Sequence, residues 1–161
     1  IDIGFGDAIT PRPMKKKLPC MLDFDAPRLA IYPWETVVAE KYQALVRLGM
    51  TNSRMKDFYD LHYMAHEMTF AGPSLAKAIH ATFSRRDTEL PASPPVALTS
   101  SFADDEMIKT RWAAFVRRTQ LESPGLHDII ANIRDFLEPV TTALVAGDAF
   151  DKQWEKGGPW R

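Results

Sequence analysis

The chain has 161 residues, of which 45% are apolar and 25% charged, and its formal net charge is −1. This balance argues against a disordered chain and predicts a packed core. The near-neutral charge lacks the strong basic bias of non-specific nucleic-acid binding. A lone cysteine, Cys20, excludes an internal disulfide and a cysteine-based zinc site. No apolar run reaches the roughly 20 residues of a membrane span, so we predict a soluble, cytoplasmic protein without a membrane partner.

The beginning of the chain has the alternation of a β-strand. Apolar side chains alternate over residues 1–5, and prolines at positions 11 and 13 indicate an exit loop. No methionine, turn or cap precedes Ile1, so we expect further residues upstream. A second extended piece is predicted around Arg28–Tyr32.

Three helices are predicted next. The apolar spacing becomes helical from Trp34 and persists to Leu48, where Gly49 is a fitting stop. Asn52 and Ser53 offer oxygens for the N-terminus of a second helix that runs to about residue 67. A third helix is expected from Gly72-Pro73 to about residue 83.

Prolines at positions 91, 94 and 95 make residues 84–100 a predicted connector. We therefore divide the chain into residues 1–83, this connector, and a C-terminal helical region at 101–161. Within the last region, helical spacing covers residues 104–120 and 124–146. Pro139 is expected to kink or end the second of these helices near Glu138, and the tail at 154–161 to pack through its tryptophans.

Lys41 conflicts with the face on which it is predicted to lie. Val38, Leu45 and Leu48 place it along an apolar stripe, and an unpaired ammonium is costly to bury. The lysine either extends along the edge of the stripe into solvent, or points into a cleft and pairs with an anion such as a triphosphate.

The start of the second predicted helix has the outline of an anion site. Backbone N–H groups are free at a helix N-terminus, and Arg54 and Lys56 add two cations there. Alternatively, Arg54–Asp57 and Lys56–Asp60 are ordinary surface ion pairs, because they are spaced three and four residues apart. Asp57 lies next to Phe58, so its carboxylate could face the same cleft as Lys41.

Carboxylates near the N-terminus could hold a metal ion. Asp2 lies within the predicted strand and Asp7 follows it, and Mg²⁺ is the natural ion for carboxylates that share it with substrate phosphates. Spacing leaves open whether Asp2 faces solvent or a metal ion. Asp23 and Asp25, close to Pro27, have the character of loop residues.

Other enzyme classes have little support. His62 and His66 are four residues apart, but the sequence has no HExxH pattern of a zinc protease. It also lacks a G-x-S-x-G elbow, a phosphate-binding P-loop and a complete dinucleotide fingerprint.

Several blocks of the sequence resemble the AbiEii family, the nucleotidyltransferase-like toxins of bacterial type IV toxin–antitoxin and abortive-infection systems. The blocks lie at residues 1–7, 32–41 and 52–61, with weaker similarity at 81–86 and 157–160. The combination of Ala39-Glu40-Lys41 with Arg54-x-Lys56-Asp57 is the most specific part of the resemblance.

The resemblance implies an α+β fold, mainly helical here: the C-terminal part of a polymerase-β-like nucleotidyltransferase fold with a helical extension. It implies transfer of a nucleotidyl group from a nucleoside triphosphate to an acceptor, in some members transfer RNA, with Mg²⁺ as cofactor and an antitoxin as partner. Lys41 and Asp57 match residues associated with catalysis, and Lys41, Arg54 and Lys56 would bind the nucleotide. Asp2 matches a metal-binding strand carboxylate.

One departure from the family pattern concerns activity. The sequence has no Gly-Ser loop followed by Asp-x-Asp, the block that binds magnesium in the family. We therefore expect this chain to be inactive by itself, as part of a longer nucleotidyltransferase. The alternative is a non-catalytic helical remnant or partner-binding module.

Overall fold

The computed structural model describes residues 8–20 and 23–161; the strand predicted at residues 1–5 lies outside these ranges. The structure is 58% helical with small strand pairs, which confirms the expected mainly helical α+β class.

Two short strands form an exposed hairpin before the first helix. Strand β1 (Met14–Lys17) pairs antiparallel with β2 (Arg28–Ile31), with Met14 opposite Ile31. The second strand was predicted. The first was not, because three consecutive lysines have no apolar alternation; the side chains of β1 are exposed on both faces, so no buried face imposes that pattern.

The next three helices follow the predicted pattern closely. They are α1 (Trp34–Leu48), α2 (Met55–Glu67) and α3 (Gly72–Arg85), and a single 3-10 turn at Gly49–Thr51 joins the first two. Helix α2 begins slightly later than the cap residues suggested. Asn52 Oδ1 accepts the backbone N–H of Arg54, at 2.8 Å, and this turn precedes the helix instead of capping it.

The C-terminal half contains α4 (Ser100–Asp104), α5 (Glu106–Thr119) and α6 (Leu126–Ala146), after a 3-10 turn at Val96–Leu98. Asp105 lies between α4 and α5. Asp105 Oδ1 accepts the backbone N–H groups of Met107 and Ile108, both at 3.0 Å, and so caps α5.

Of the two effects expected of Pro139, a kink or an end of the helix near Glu138, the end is wrong, because α6 continues to Ala146. Pro139 lies on the exposed side of α6, where water can reach the carbonyl that loses its hydrogen bond. On the opposite side, Leu137, Val140 and Thr141 are buried. Their packing offsets the proline penalty of about 3 kcal/mol.

One hydrophobic core joins the helices. Helix α1 packs against α3, and α6 packs against both α2 and α3. The core includes Leu98, so the proline-rich stretch reaches the interior of the protein. The division at residues 84–100 stays a prediction. Across residues 8–20 and 23–161, no helix combines the length and apolar character that crossing a membrane requires.

The C-terminal tail closes over the core. Strand β3 (Phe70–Ala71) pairs with β4 (Gln153–Trp154). The indole N–H of Trp154 donates to the Ala65 carbonyl at 2.7 Å, and that of Trp160 to the Phe136 carbonyl at 2.9 Å. The expected packing of the tail tryptophans is therefore observed.

Gly72 permits the closest approach between the tail and the helices. A Cβ at this position would lie 2.4 Å from the Phe150 carbonyl oxygen and 2.7 Å from that of Lys152. The Gly72 N–H donates to the same Lys152 carbonyl at 2.7 Å. Only glycine allows the start of α3 to contact the tail so closely.

We predict that Trp154→Ala lowers the free energy of unfolding by about 3–5 kcal/mol, because it leaves a cavity and removes the hydrogen bond to Ala65. The matched control is Trp34→Ala, since Trp34 is 50% exposed and Trp154 only 2%. Chemical denaturation of both variants measures the difference. Similar losses in the two variants would contradict the structural role of the tail.

Candidate functional site

Lys41 lies on α1, and its side chain is 18% exposed. Its Nζ lies 2.6 Å from Asp57 Oδ1 and 2.9 Å from Asp60 Oδ2, both on α2. The ammonium is therefore paired with carboxylates of the neighbouring helix rather than extended into solvent. These ion pairs explain how the apolar face of α1 tolerates a charge.

Two cations at the start of α2 extend the arrangement. Arg54 Nε lies 2.9 Å from Asp57 Oδ2, and Lys56 pairs with Asp60. The predicted surface pairs thus exist, but they share their carboxylates with Lys41. We call these five side chains, three cations and two carboxylates, the charge network: Lys41, Arg54, Lys56, Asp57 and Asp60.

Burial and ion pairing act in opposite directions on the pKa of Lys41. Burial, the largest single influence, lowers it, whereas hydrogen bonds and charge attraction from Asp57 and Asp60 together raise it above the ordinary value of 10.5. Lys41 therefore carries its positive charge throughout the physiological pH range. A fixed cation at the edge of a cavity can bind a phosphate.

One oxygen of Asp57 keeps binding capacity. Arg54 Nε is within ion-pair distance of Oδ2, yet this buried oxygen accepts no hydrogen bond from the part of the chain that the structure describes. The N–H of Arg54 Nε does not point at Asp57 Oδ2. The two atoms are therefore close enough for an ion pair but do not form a hydrogen bond, which requires the N–H to point at its acceptor. Asp57 Oδ2 can therefore accept a ligand donor or coordinate a cation.

Arg54 lines two cavities. The smaller one, of about 250 Å³, is lined by Val37, Glu40, Lys41, Arg54 and Arg86. The larger one, of about 710 Å³, lies between the start of α2 and α5. Its volume falls in the range of ligand sites. We call it the basic cavity; the charged side chains that line it are Arg54, Lys56, Asp57, Arg111, Arg117 and Arg118.

Asn52 connects the start of α2 to α5. Its side chain is fully buried, and its Oδ1 accepts the Arg54 N–H. Its carbonyl oxygen accepts a hydrogen bond from Arg111 Nη1 at 3.1 Å. Asn52 therefore fixes the two walls of the basic cavity relative to each other.

The structure brings together Lys41, Arg54, Lys56 and Asp57, the four site residues that were predicted within its described ranges. Asp2 and Asp7 lie outside those ranges. Asp23 and Asp25 are exposed between β1 and β2, as expected of loop residues.

Sequence reasoning missed two contributors to the site. The sequence pattern indicates Asp60 only as a surface partner of Lys56, although its position three residues after Asp57 places both carboxylates on one helix face. Arg111 is 59 residues from Asn52, whose carbonyl it contacts. No local sequence pattern predicts a contact over that distance.

His62 and His66 are neighbours on α2, with ring centres 6.0 Å apart. His62 Nδ1 lies 2.9 Å from Asn132 Oδ1, and burial lowers its pKa below the usual 6.5. Residues 8–20 and 23–161 contain no cluster of three or more metal-binding side chains. The histidine pair therefore has no third ligand within the described chain.

Comparison with known proteins gives one match. A family model described as "Nucleotidyl transferase AbiEii toxin, Type IV TA system" matches residues 1–151. No curated protein and no solved structure matches the chain. Nucleotidyltransferases of this kind generally use Mg²⁺.

We predict that Lys41 and Asp57 are energetically coupled. A double-mutant cycle with Lys41→Met and Asp57→Asn should give a coupling energy of about 1–3 kcal/mol, because each single change removes one of the two oppositely charged partners of a partly buried group. The control cycle uses Arg134 and Glu138, an exposed pair 3.9 Å apart, with an expected coupling of about 0.3–0.5 kcal/mol. Equal coupling energies in the two cycles would contradict a special role for Lys41.

A second prediction concerns pH. Because folding raises the pKa of Lys41, its ion pairs stabilise the protein fully below the unfolded-state pKa of 10.5, and this contribution is lost as pH rises through the folded-state pKa. NMR titration of ¹³C-labelled lysine side chains should give Lys41 a midpoint above 10.5. A midpoint below 10.5 would show that burial outweighs the carboxylates.

Proposed function

We propose, since the chain belongs to the AbiEii family of nucleotidyltransferase toxins of type IV toxin–antitoxin systems, that the charge network is its nucleotide-binding and catalytic centre. The reaction is transfer of a nucleotidyl group from a nucleoside triphosphate to an acceptor. The single observation that supports this most strongly is the position of Lys41, a partly buried cation at the edge of a cavity, held by two carboxylates.

Lys41 would contact the phosphates of the nucleotide. Arg54 and Lys56, which are 60% and 71% exposed, can reorient towards the same phosphates. The nearby N-terminus of α2 adds a partial positive charge. Such positioning and charge neutralisation account for most of the catalysis in phosphoryl-type transfer.

Asp57 is suited to act as a metal ligand or a general base. Its Oδ2 is buried and accepts no hydrogen bond from residues 8–20 and 23–161, so this oxygen fits a magnesium ion once Arg54, 2.9 Å away, turns towards the phosphates. Asp57 would hold Mg²⁺, together with Asp2 as the resemblance to the family implies, and the ion would neutralise phosphate charge when bound. As a base, Asp57 would accept the proton of the acceptor hydroxyl. The hydroxyl oxygen would bond to the α-phosphorus as the bond from that phosphorus to pyrophosphate breaks.

The acceptor and the partners are proposed from the resemblance to the family. We propose transfer RNA as an acceptor and a cognate antitoxin as the protein partner, in the cytoplasm. The toxin–antitoxin description of the family supports the antitoxin partner.

A non-catalytic role is the second candidate. Large apolar side chains near β1 and β2 are exposed, including Met14 at 65% and Trp34 at 50%, and they line a cavity of about 360 Å³. An apolar surface of this kind suits a protein partner. A chain that binds a partner but no nucleotide would fit this alternative.

We predict that the protein binds a nucleoside triphosphate in the presence of Mg²⁺, and that Lys41→Ala weakens binding by about tenfold or more, because it removes a charge-assisted phosphate contact. The matched control is Lys77→Ala, which removes an exposed lysine outside the site. Isothermal titration with each of the four ribonucleoside triphosphates measures affinity, and thermal melting tests the folding of each variant. Unchanged affinity in folded Lys41→Ala would remove Lys41 from the site.

Turnover is a separate measurement. Because the chain has no Gly-Ser loop followed by Asp-x-Asp, we expect residues 1–161 alone to bind nucleotide without transferring it to a bacterial transfer-RNA pool. Magnesium-dependent transfer of labelled nucleotide by this chain would contradict the expected inactivity and support the catalytic assignment.

A further inference from the structure

The basic cavity concentrates positive charge in a protein that is nearly neutral. Five cationic side chains and a single carboxylate line it, whereas the net charge of the whole chain is −1. Two of the cations, Arg54 and Lys56, already pair with the carboxylates of the charge network. The other three are arginines of α5.

The arginines of α5 have few competing partners. Arg117 and Arg118 are exposed, and neither forms an ion pair with a carboxylate of residues 8–20 or 23–161. Arg111 donates from Nη1 to the Asn52 carbonyl, which fixes its position and neutralises none of its charge. This wall of the cavity is therefore open to an external anion.

The spacing along α5 fits an extended anion. Arg111 and Arg118 are seven residues apart, or two helical turns, and the small side chain of Ala114 lies between them on the same side. Seven residues of helix span about 10 Å, which matches about three nucleotide steps of a stacked strand. Guanidinium groups bind phosphate oxygens through paired hydrogen bonds.

The basic cavity adjoins the charge network. Arg54 lines both cavities, and Asp57 lies at the wall of the larger one while its Oδ1 contacts Lys41. A strand bound along α5 would thus extend towards the carboxylate assigned above as metal ligand or base.

We propose that the basic cavity binds the sugar-phosphate backbone of a nucleic-acid strand, with Arg111, Arg117 and Arg118 as its phosphate contacts. The role of this strand as the acceptor of the nucleotidyl group rests on the proposed function; its binding does not. Contacts to phosphates position a strand without reading its sequence, so the site recognises a class of polymer rather than one sequence.

The test is binding of a fluorescein-labelled, single-stranded 20-nucleotide RNA, and of DNA with the same sequence, measured by fluorescence anisotropy between 50 and 200 mM salt. The variant is Arg117→Ala with Arg118→Ala. The matched control, Lys77→Ala with Lys152→Ala, removes the same charge from exposed positions outside the cavity. Thermal melting tests the folding of all variants.

The arginine variant should weaken binding by about tenfold or more and lower the slope of log affinity against log salt by about 1.4, or about 0.7 for each lost phosphate contact of a single strand. The lysine control should stay within about twofold of the parent protein. Binding of RNA alone, or of RNA and DNA alike, supports the proposal and identifies the polymer.

Two results would overturn it: no binding of either strand at 50 mM salt, or equal weakening by the arginine and lysine variants. The nucleotide titration described above separates this proposal from the proposed function. Lys41→Ala should impair triphosphate binding and leave strand binding intact, and the arginine variant should do the reverse. A parent protein that binds triphosphate but neither strand therefore refutes the basic cavity as a strand site, and unchanged triphosphate binding in Lys41→Ala refutes the charge network.

Discussion

The ammonium of Lys41 lies between two carboxylates of the neighbouring helix, and the relation of α1 to α2 depends on this contact. An unpaired ammonium could not stay partly buried beside the apolar core without a large free-energy cost. The register of the two helices must therefore bring Asp57 and Asp60 to Lys41. The contact that satisfies the buried charge also places three cations and two carboxylates beside two cavities, so stability and chemistry share the same residues.

Much of the helical architecture was predictable, because helix starts and stops depend on local chemistry. Gly49 ends α1, and Gly72-Pro73 begins α3, as their conformational preferences require. Predictions failed where distant packing decided the outcome. Pro139 stays within α6 because the opposite side of that helix is buried, and β1 forms from consecutive lysines by pairing with a strand eleven residues further on.

The candidate site was predictable in part for a similar reason. Lys41 was conspicuous because a charge on an apolar stripe violates a local rule, and such violations often mark functional positions. A functional role for Asp57 was predicted from its apolar neighbours and from the resemblance to the AbiEii family. Asp60 and Arg111 violate no local rule, since each is an ordinary polar position on its own helix. The packing of α1 and α5 against the start of α2 gives Asp60 its contact with Lys41 and Arg111 its contact with Asn52.

The contact between Gly72 and the tail has an evolutionary consequence. The start of α3 has no space for a Cβ because the carbonyl oxygens of Phe150 and Lys152 occupy it. Selection therefore acts on two segments almost eighty residues apart as a single unit. In a descendant whose tail took another path, position 72 would be free to acquire a side chain. Covariation between this glycine and the tail segment would then trace, across a lineage, when that closure was gained or lost.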